Sequence, residues 1–345
     1  MILSDVDFEK RGSVGLVLLN RAKALNALTI EMIKALSAQL EAWKTDDDVK
    51  AVILTSTSER AFSAGADIRF VYNNRANPPY EFFRVEYLMN CAMKRYPKPY
   101  ISLIDGIVMG GGVGLSFHGK YVAVGSKTMF AMPETGIGFF PDVGGAYLLP
   151  RMPGKLGIYC GLTGGRLGQA DCLRSGLATH CIEPDHFPTI IEEIAQGRDP
   201  EETLQVYTSP PQGTGLDDEA LQIIEQAFSG NSVSEIIARL QAMSQPFAKQ
   251  TLDMMLSRSP MSVHIALEQM KRGREMEFEE CMQMEYRILE HILKGSDFYE
   301  GVRATIVDKD GAPDWQPSSF GDVADEAVLS HFMPLEAERE LFKAR

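Results

Sequence analysis

The sequence predicts an α/β protein: a mostly parallel core followed by a helical C-terminal domain. Short apolar runs that read as strands alternate with amphipathic helical stretches, and strands separated by helices are joined by crossovers that make neighbours parallel. From about Leu156 the pattern turns helical, and a Pro/Gly-rich link, "YTSPPQGTGLDDE" (207–219), leads into amphipathic segments without strand-like runs. The expected division is a core over 1–197, carrying the chemistry, and a helical region over 198–345.

Element by element, "VGLVLLN" (14–20) reads as a strand closed by Asn20, "TIEMIKALSAQLEAWKTD" as a helix and "AVILTS" (51–56) as a second strand. The order repeats with a helix in "YEFFRVEYLMNCAMKRYP" (80–97) and a strand in "PYISLIDGIV" (99–108). A helix then opens at "GGGVGLSFHG", and the strand "YVAVGS" follows. No internal repeat or low-complexity tract interrupts this order.

A chain of 345 residues, 45% of them hydrophobic, can bury a sizeable core. Thirty-four basic against 47 acidic residues give a net charge of −13, which argues against a long nucleic-acid or anionic-membrane surface and for a small-molecule partner. Cys91, Cys160, Cys172, Cys181 and Cys281 are odd in number, widely spaced and without a CxxC pair, so reduced, buried thiols are expected rather than disulfides or zinc. No His/Cys/Asp/Glu cluster has metal-ligand spacing, and no metal or cofactor is expected. The acidic start and the lack of an apolar stretch of about 18 residues suggest a cytoplasmic protein, or an organelle-matrix protein whose transit peptide is absent from this sequence.

Two glycine-containing turns lie at strand ends: "AFSAGADI" (61–68) and "VMGGGVGLS" (108–116). Neither has the P-loop or dinucleotide pattern in a strand-to-helix setting. The triple glycine either permits tight helix-against-strand packing or presents free N–H groups to an oxyanion at a helix start. "MPETGIGFFPDVGG" (132–145) places Glu134 and Asp142 among apolar, glycine and proline residues. They are either surface-turn acids or carboxylates projecting into a pocket walled by Met132, Ile137, Phe139, Phe140 and Val143, where burial would raise their pKa.

In order along the chain, "NRAKALNAL" (20–28), "AFSAGADI", "DGIVMGGGVGLS", "MPETGIGFFPDVGG" and "DFYEGVRATIVDKDGAPDWQP" resemble the crotonase (enoyl-CoA hydratase/isomerase) superfamily, and within it the 3-hydroxyisobutyryl-CoA hydrolase subfamily. The resemblance implies a spiral ββα crotonase fold and an acyl-CoA substrate, with coenzyme A entering as part of that substrate. It assigns the oxyanion hole to the amides of Ala66 and Gly111. It places coenzyme A against the turn holding Arg21, Lys23 and Ala24, the loop Ser63, Gly65 and Asp67, and Gly110 and Phe140. Arg21 and Lys23 read equally as solvated loop charges, and Asp67 suits the cap of a helix starting at Ile68.

Hydratases of the family carry a glutamate where this chain has Gly114, and a glycine where it has Asp142. Dienoyl-CoA isomerases share the spacing of Glu134 and Asp142 but place another acid at position 114. The hydrolase subfamily has the pair found here. The resemblance therefore implies thioester hydrolysis, the step of valine breakdown that releases 3-hydroxyisobutyrate and coenzyme A. Glu134 serves as nucleophile or general base, and Asp142 orients the 3-hydroxyl or the hydrolytic water. A hydratase or isomerase of the same fold is the alternative within the family, and a non-catalytic acyl-CoA-binding protein the alternative outside it. His118 reads as structural, and "MEFEECMQMEYRI" (276–288) as a core or subunit-contact helix; a homo-oligomer is an expectation from the family alone.

Overall fold

The computed structural model describes residues 5–342. By internal packing the chain forms two compact units, one drawn from Met1–Ala66, Leu88–Phe130 and Leu167–Gly215, the other from Asp67–Tyr87, Ala131–Arg166 and Leu216–Arg345.

The first unit holds the sheets. In chain order the strands are β1 (Val6–Arg11), β2 (Val14–Leu19), β3 (Ala51–Ser56), β4 (Ala61–Ser63), β5 (Tyr100–Ile104), β6 (Ile107–Met109), β7 (Tyr121–Val124), β8 (Met129–Ala131) and β9 (His180–Cys181). A large sheet runs β1-β2-β3-β5-β7-β9 and a small one β4-β6-β8. β1 and β2 form an antiparallel hairpin, and from β2 onward the neighbours in the large sheet are parallel. Each of the pairs β3/β4, β5/β6 and β7/β8 gives its first strand to the large sheet and its second to the small one, which is the spiral ββα repeat. β8 belongs to this unit only in part, since the unit's middle segment ends at Phe130. One face of β2, β3 and β5 buries Val14, Leu16, Ile53 and Leu103 in the same cluster as Ile190 and Ile194 of the helix Phe187–Ala195. Apolar burial of this kind, at roughly 25 cal/mol per Å², is what drives the sheet to accept a helix on that face.

Three departures from the sequence reading have local causes. The run 99–108 is two strands, because the chain turns at Asp105–Gly106: Gly106 has φ +77°, and a methyl there would stand 2.6 Å from the Arg60 carbonyl oxygen. β1, β4 and β8 were absent from the pattern reading, and β9 lies where only helices were expected; β4, β8 and β9 have three, three and two residues, too short to show a period. Finally, packing does not follow a linear boundary at 197.

Segments 67–87 and 131–166 group with the C-terminal helices because their apolar side chains pack there. Phe139 stands 6.0 Å from Phe83 and 5.3 Å from Phe298, centroid to centroid. Gly273, on the helix Pro260–Gly273, lies so close to Ala146 that a methyl would fall 2.2 Å from its carbonyl oxygen. That helix is capped by Ser259, whose hydroxyl accepts from the Ser262 amide at 3.2 Å. The helix Phe278–Ile292 is closed at its start by Glu280, which accepts from the Glu277 amide at 2.9 Å.

Candidate active site

Within the first unit the two glycine turns are neighbours. A methyl on Gly65 would stand 3.3 Å from the Gly111 nitrogen and 3.1 Å from the Met109 carbonyl oxygen. Gly110 caps the helix Gly111–Ser116, so the Gly111 N–H belongs to the first helical turn, where amides have no intrahelical acceptor. Gly112 accounts for the packing reading of the triple glycine, since a methyl there would meet the Ser63 carbonyl oxygen at 2.5 Å. Ala66 forms a parallel bridge with Leu28 in which the Leu28 amide donates to the Gly65 carbonyl at 2.8 Å. In a parallel bridge the bonds fall on the flanking residues, which leaves the Ala66 amide out of the ladder. The buried Ser63 hydroxyl donates to the Asn26 carbonyl at 2.9 Å, and the Ala64 amide donates to the Leu25 carbonyl at 2.9 Å, so the turn over 20–28 is stitched to this loop.

In that turn Arg21 donates Nη1 to the Ala27 carbonyl at 2.9 Å and faces Asp5 at 3.6 Å, Lys23 is exposed, and Ala24 is half-buried. Asn26, unremarked in the sequence, is fully buried with φ +53° and donates to Ser56 Oγ at 2.7 Å and the Phe62 carbonyl at 2.9 Å. His118 is buried.

The second unit holds the acids. Glu134 opens the 3₁₀ turn Glu134–Ile137, and Asp142 precedes the short helix Gly145–Leu148. Their exposures of 7% and 5% exclude the surface-turn reading. Glu134 Oε2 is buried without a hydrogen-bond partner among the described residues, whereas Asp142 Oδ2 accepts from the Tyr87 hydroxyl at 2.8 Å. Phe140 is fully buried, with its ring 4.7 Å from that of Phe139. Asp67 is the cap expected of it, its Oδ1 accepting from the Phe70 amide at 3.3 Å ahead of the helix Ile68–Asn73.

Four further residues complete this constellation, and the sequence reading missed them. Glu86 and Tyr87 lie on the helix Tyr80–Lys94, are 1% and 0% exposed, and neither Glu86 oxygen has a hydrogen-bond partner among the described residues. Glu285, on the helix Phe278–Ile292, is fully buried and accepts from the Gly144 and Ala146 amides at 2.8 Å each. Gln269, also fully buried, donates to the Pro141 carbonyl at 2.6 Å. A signal was present: Glu86 falls at helical spacing from Phe82 and Phe83, and Glu285 at the same spacing from Cys281 and Met282, which puts each acid on an apolar stripe. The methionine-rich segment is otherwise core, with Met282 and Met284 buried.

Burial dominates the titration of the group. It holds Glu134 and Glu86 well above the ordinary carboxyl range, with the charge of Asp142 adding to the effect at both. Burial also pushes Asp142 up to about 7, against the Tyr87 hydroxyl bond that favours its ionised form. Glu285 is pushed up to about 8, against its two amide donors. Carboxyls poised near neutrality in a buried setting are suited to proton transfer or nucleophilic attack. All five cysteines are buried, and burial pushes the Cys181 and Cys281 thiols up to about 11 and about 12.

Comparison with solved structures defines the class: this is a crotonase fold. The chain superposes on a structure described as a carnitinyl-CoA dehydratase from Mycobacterium thermoresistibile with a TM-score of 0.93, at 37% identity, covering 99% of each chain. It superposes on an enoyl-CoA hydratase from Rhodobacter sphaeroides with a TM-score of 0.90, at 35% identity, covering 98% of this chain and all of the other. The enoyl-CoA hydratase/isomerase family description matches residues 14–332. Among curated proteins the chain is 41% identical to a mitochondrial 3-hydroxyisobutyryl-CoA hydrolase of Gallus gallus and 40% identical to that of Homo sapiens, each alignment covering 96% of this chain and 89% of the relative. The chain belongs to the enoyl-CoA hydratase/isomerase family, in the branch of the 3-hydroxyisobutyryl-CoA hydrolases.

Proposed function

We propose that this protein hydrolyses the thioester of 3-hydroxyisobutyryl-CoA, giving 3-hydroxyisobutyrate and coenzyme A. The observation that carries the reading is the buried pair Glu134 and Asp142 in a chain that has Gly114 where a hydratase needs its second carboxylate. The amides of Ala66 and Gly111 hold the thioester oxygen. The Glu134 carboxylate attacks the carbonyl carbon, the C–S bond breaks, and coenzyme A leaves as thiolate and takes a proton from solvent. Water then hydrolyses the mixed anhydride, restoring the Glu134 carboxyl and releasing the acid. Asp142, held by the Tyr87 hydroxyl, faces the 3-hydroxyl of the acyl group. The curated relatives are named as mitochondrial, which favours the organelle-matrix expectation over the cytoplasmic one. A thiol-release screen across short acyl-CoAs with and without a 3-hydroxyl tests the reading; no thiol release from any of them overturns it.

The solved structures described as hydratase and dehydratase favour a second reading, addition or removal of water. The two readings part at Asp142→Gly, which installs the hydratase residue. Hydrolysis is expected to fall with no hydration of crotonyl-CoA gained, because Gly114 leaves the other acid missing. Appearance of strong hydration in that variant supports the second reading.

The acids also set a pH dependence. Only ionised Glu134 is a nucleophile, so kcat/KM rises with pH along an acid limb whose apparent pKa belongs to the coupled pair. The negative charge of Asp142 raises the Glu134 pKa, so Asp142→Asn is expected to move that limb to lower pH. A limb that stays in place or moves to higher pH contradicts the coupling.

A further inference from the structure

The backbone turn that carries Asp142 is closed by the Gly145 amide, which donates to the Asp142 carbonyl at 2.8 Å, and it is braced further from outside. Val143, the residue after Asp142, has φ +50°, in the left-handed region that a β-branched side chain enters only under strain. Such a conformation is strained and persists only where the surroundings over-determine it. Here they do so from both sides. Before Asp142, the Pro141 carbonyl is taken by Gln269 Nε2 at 2.6 Å; after Val143, the Gly144 and Ala146 amides are taken by the two carboxyl oxygens of Glu285 at 2.8 Å each. Gln269 Nε2 and Glu285 Oε1 are 3.4 Å apart, so the two clamps touch. Both side chains are fully buried, and their backbones belong to two different helices, Pro260–Gly273 and Phe278–Ile292.

A short helix start needs no acid from a remote helix. Serine, asparagine or solvent satisfies such amides at lower cost than a fully buried carboxyl placed near Asp142 and Glu134. The carboxyl does what those groups cannot: its two oxygens seize alternate amides and fix the peptide planes between them, and with them the direction in which Asp142 leaves the turn.

We propose that Glu285, with Gln269, is a positioning residue for Asp142, acting through the backbone of the 141–146 turn; the catalytic consequence rests on the hydrolase reading above. Glu285→Gln preserves volume but sets an amide NH₂ against one of the two N–H groups, donor facing donor.

The test is a double-mutant cycle of Glu285→Gln and Asp142→Ala, read as the ratio of kcat/KM for 3-hydroxyisobutyryl-CoA over isobutyryl-CoA. Glu285→Gln is expected to shrink that ratio roughly ten- to a hundredfold, as misplacement of a reacting group does, and to shrink it no further in the Asp142→Ala background. Equal fold-losses in both backgrounds, or an unchanged ratio in the single variant, overturn the proposal, because a residue that merely supports the fold lowers both substrates together. Gln269→Met, which removes the donor to Pro141, is expected to move the ratio in the same direction and serves if Glu285→Gln does not fold. Hydrogen exchange gives an arm independent of activity: exchange across 141–146 rises in Glu285→Gln while the helix Phe278–Ile292 stays protected, and unchanged exchange in the turn overturns the clamp. If the wild type releases no thiol from 3-hydroxyisobutyryl-CoA, the hydrolase reading falls, and the positioning of the turn stands or falls on exchange alone.

Discussion

Glu134→Gln retains coenzyme A binding and loses turnover by several powers of ten. The amide is nearly isosteric with the carboxyl and occupies the same buried site, 7% exposed, so it disturbs neither the turn Glu134–Ile137 nor the glycine loops assigned to the cofactor portion of the substrate. What it removes is chemistry, since a carboxamide neither attacks a thioester carbonyl nor accepts a proton at neutral pH. A nucleophile that forms a covalent intermediate typically carries a large share of the rate enhancement, and its loss appears in kcat and kcat/KM alike. The Gln substitution also relieves a destabilising feature, because a carboxyl with one oxygen buried and unpartnered is costly to ionise. The variant is therefore expected to fold at least as well as the wild type. Steady-state thiol release combined with a coenzyme A binding isotherm checks both halves, and turnover near that of the wild type refutes the mechanism.

Removing the 3-hydroxyl from the substrate is expected to cost nearly as much. A site built to hydrogen-bond a buried hydroxyl rejects the analogue lacking it by about 10⁴ or more, whereas an apolar pocket barely distinguishes the two. Asp142 is 5% exposed, in a stretch with Phe140 fully buried and Phe139 almost so, and it accepts the Tyr87 hydroxyl on one carboxyl oxygen. If it receives the 3-hydroxyl, isobutyryl-CoA is hydrolysed far more slowly than 3-hydroxyisobutyryl-CoA, and Asp142→Ala narrows the gap. If it only orients water, both substrates slow together. Measuring kcat/KM for the pair in wild type and variant decides, and an unchanged ratio in Asp142→Ala assigns Asp142 to water.

How much of this was legible beforehand differs between elements. β2, β3 and the helix Ile30–Thr45 announce themselves by period and length, and so did the helical run after Leu156. The small sheet did not, because its three strands have only three residues each, set by pairing, and β6 was read as the end of a longer strand. Glu134 and Asp142 stood out as charges among apolar neighbours close in sequence. Glu86 and Glu285 carry the same anomaly spread over helical turns, where flanking charges such as Arg84 and Arg287 hide it. The assignment of Gln269 to the Pro141 carbonyl joins positions 128 apart in the chain, and no local pattern encodes such a pair.

The buried cysteines bear on what else could happen to the substrate. A thioester is as open to a protein thiolate as to a carboxylate, and acyl exchange onto cysteine proceeds through the thiolate. With all five thiols buried, and those of Cys181 and Cys281 held far from ionisation at neutral pH, the enzyme offers its reactive substrate no competing sulfur. It is thereby protected from acylating itself while it handles activated acyl groups.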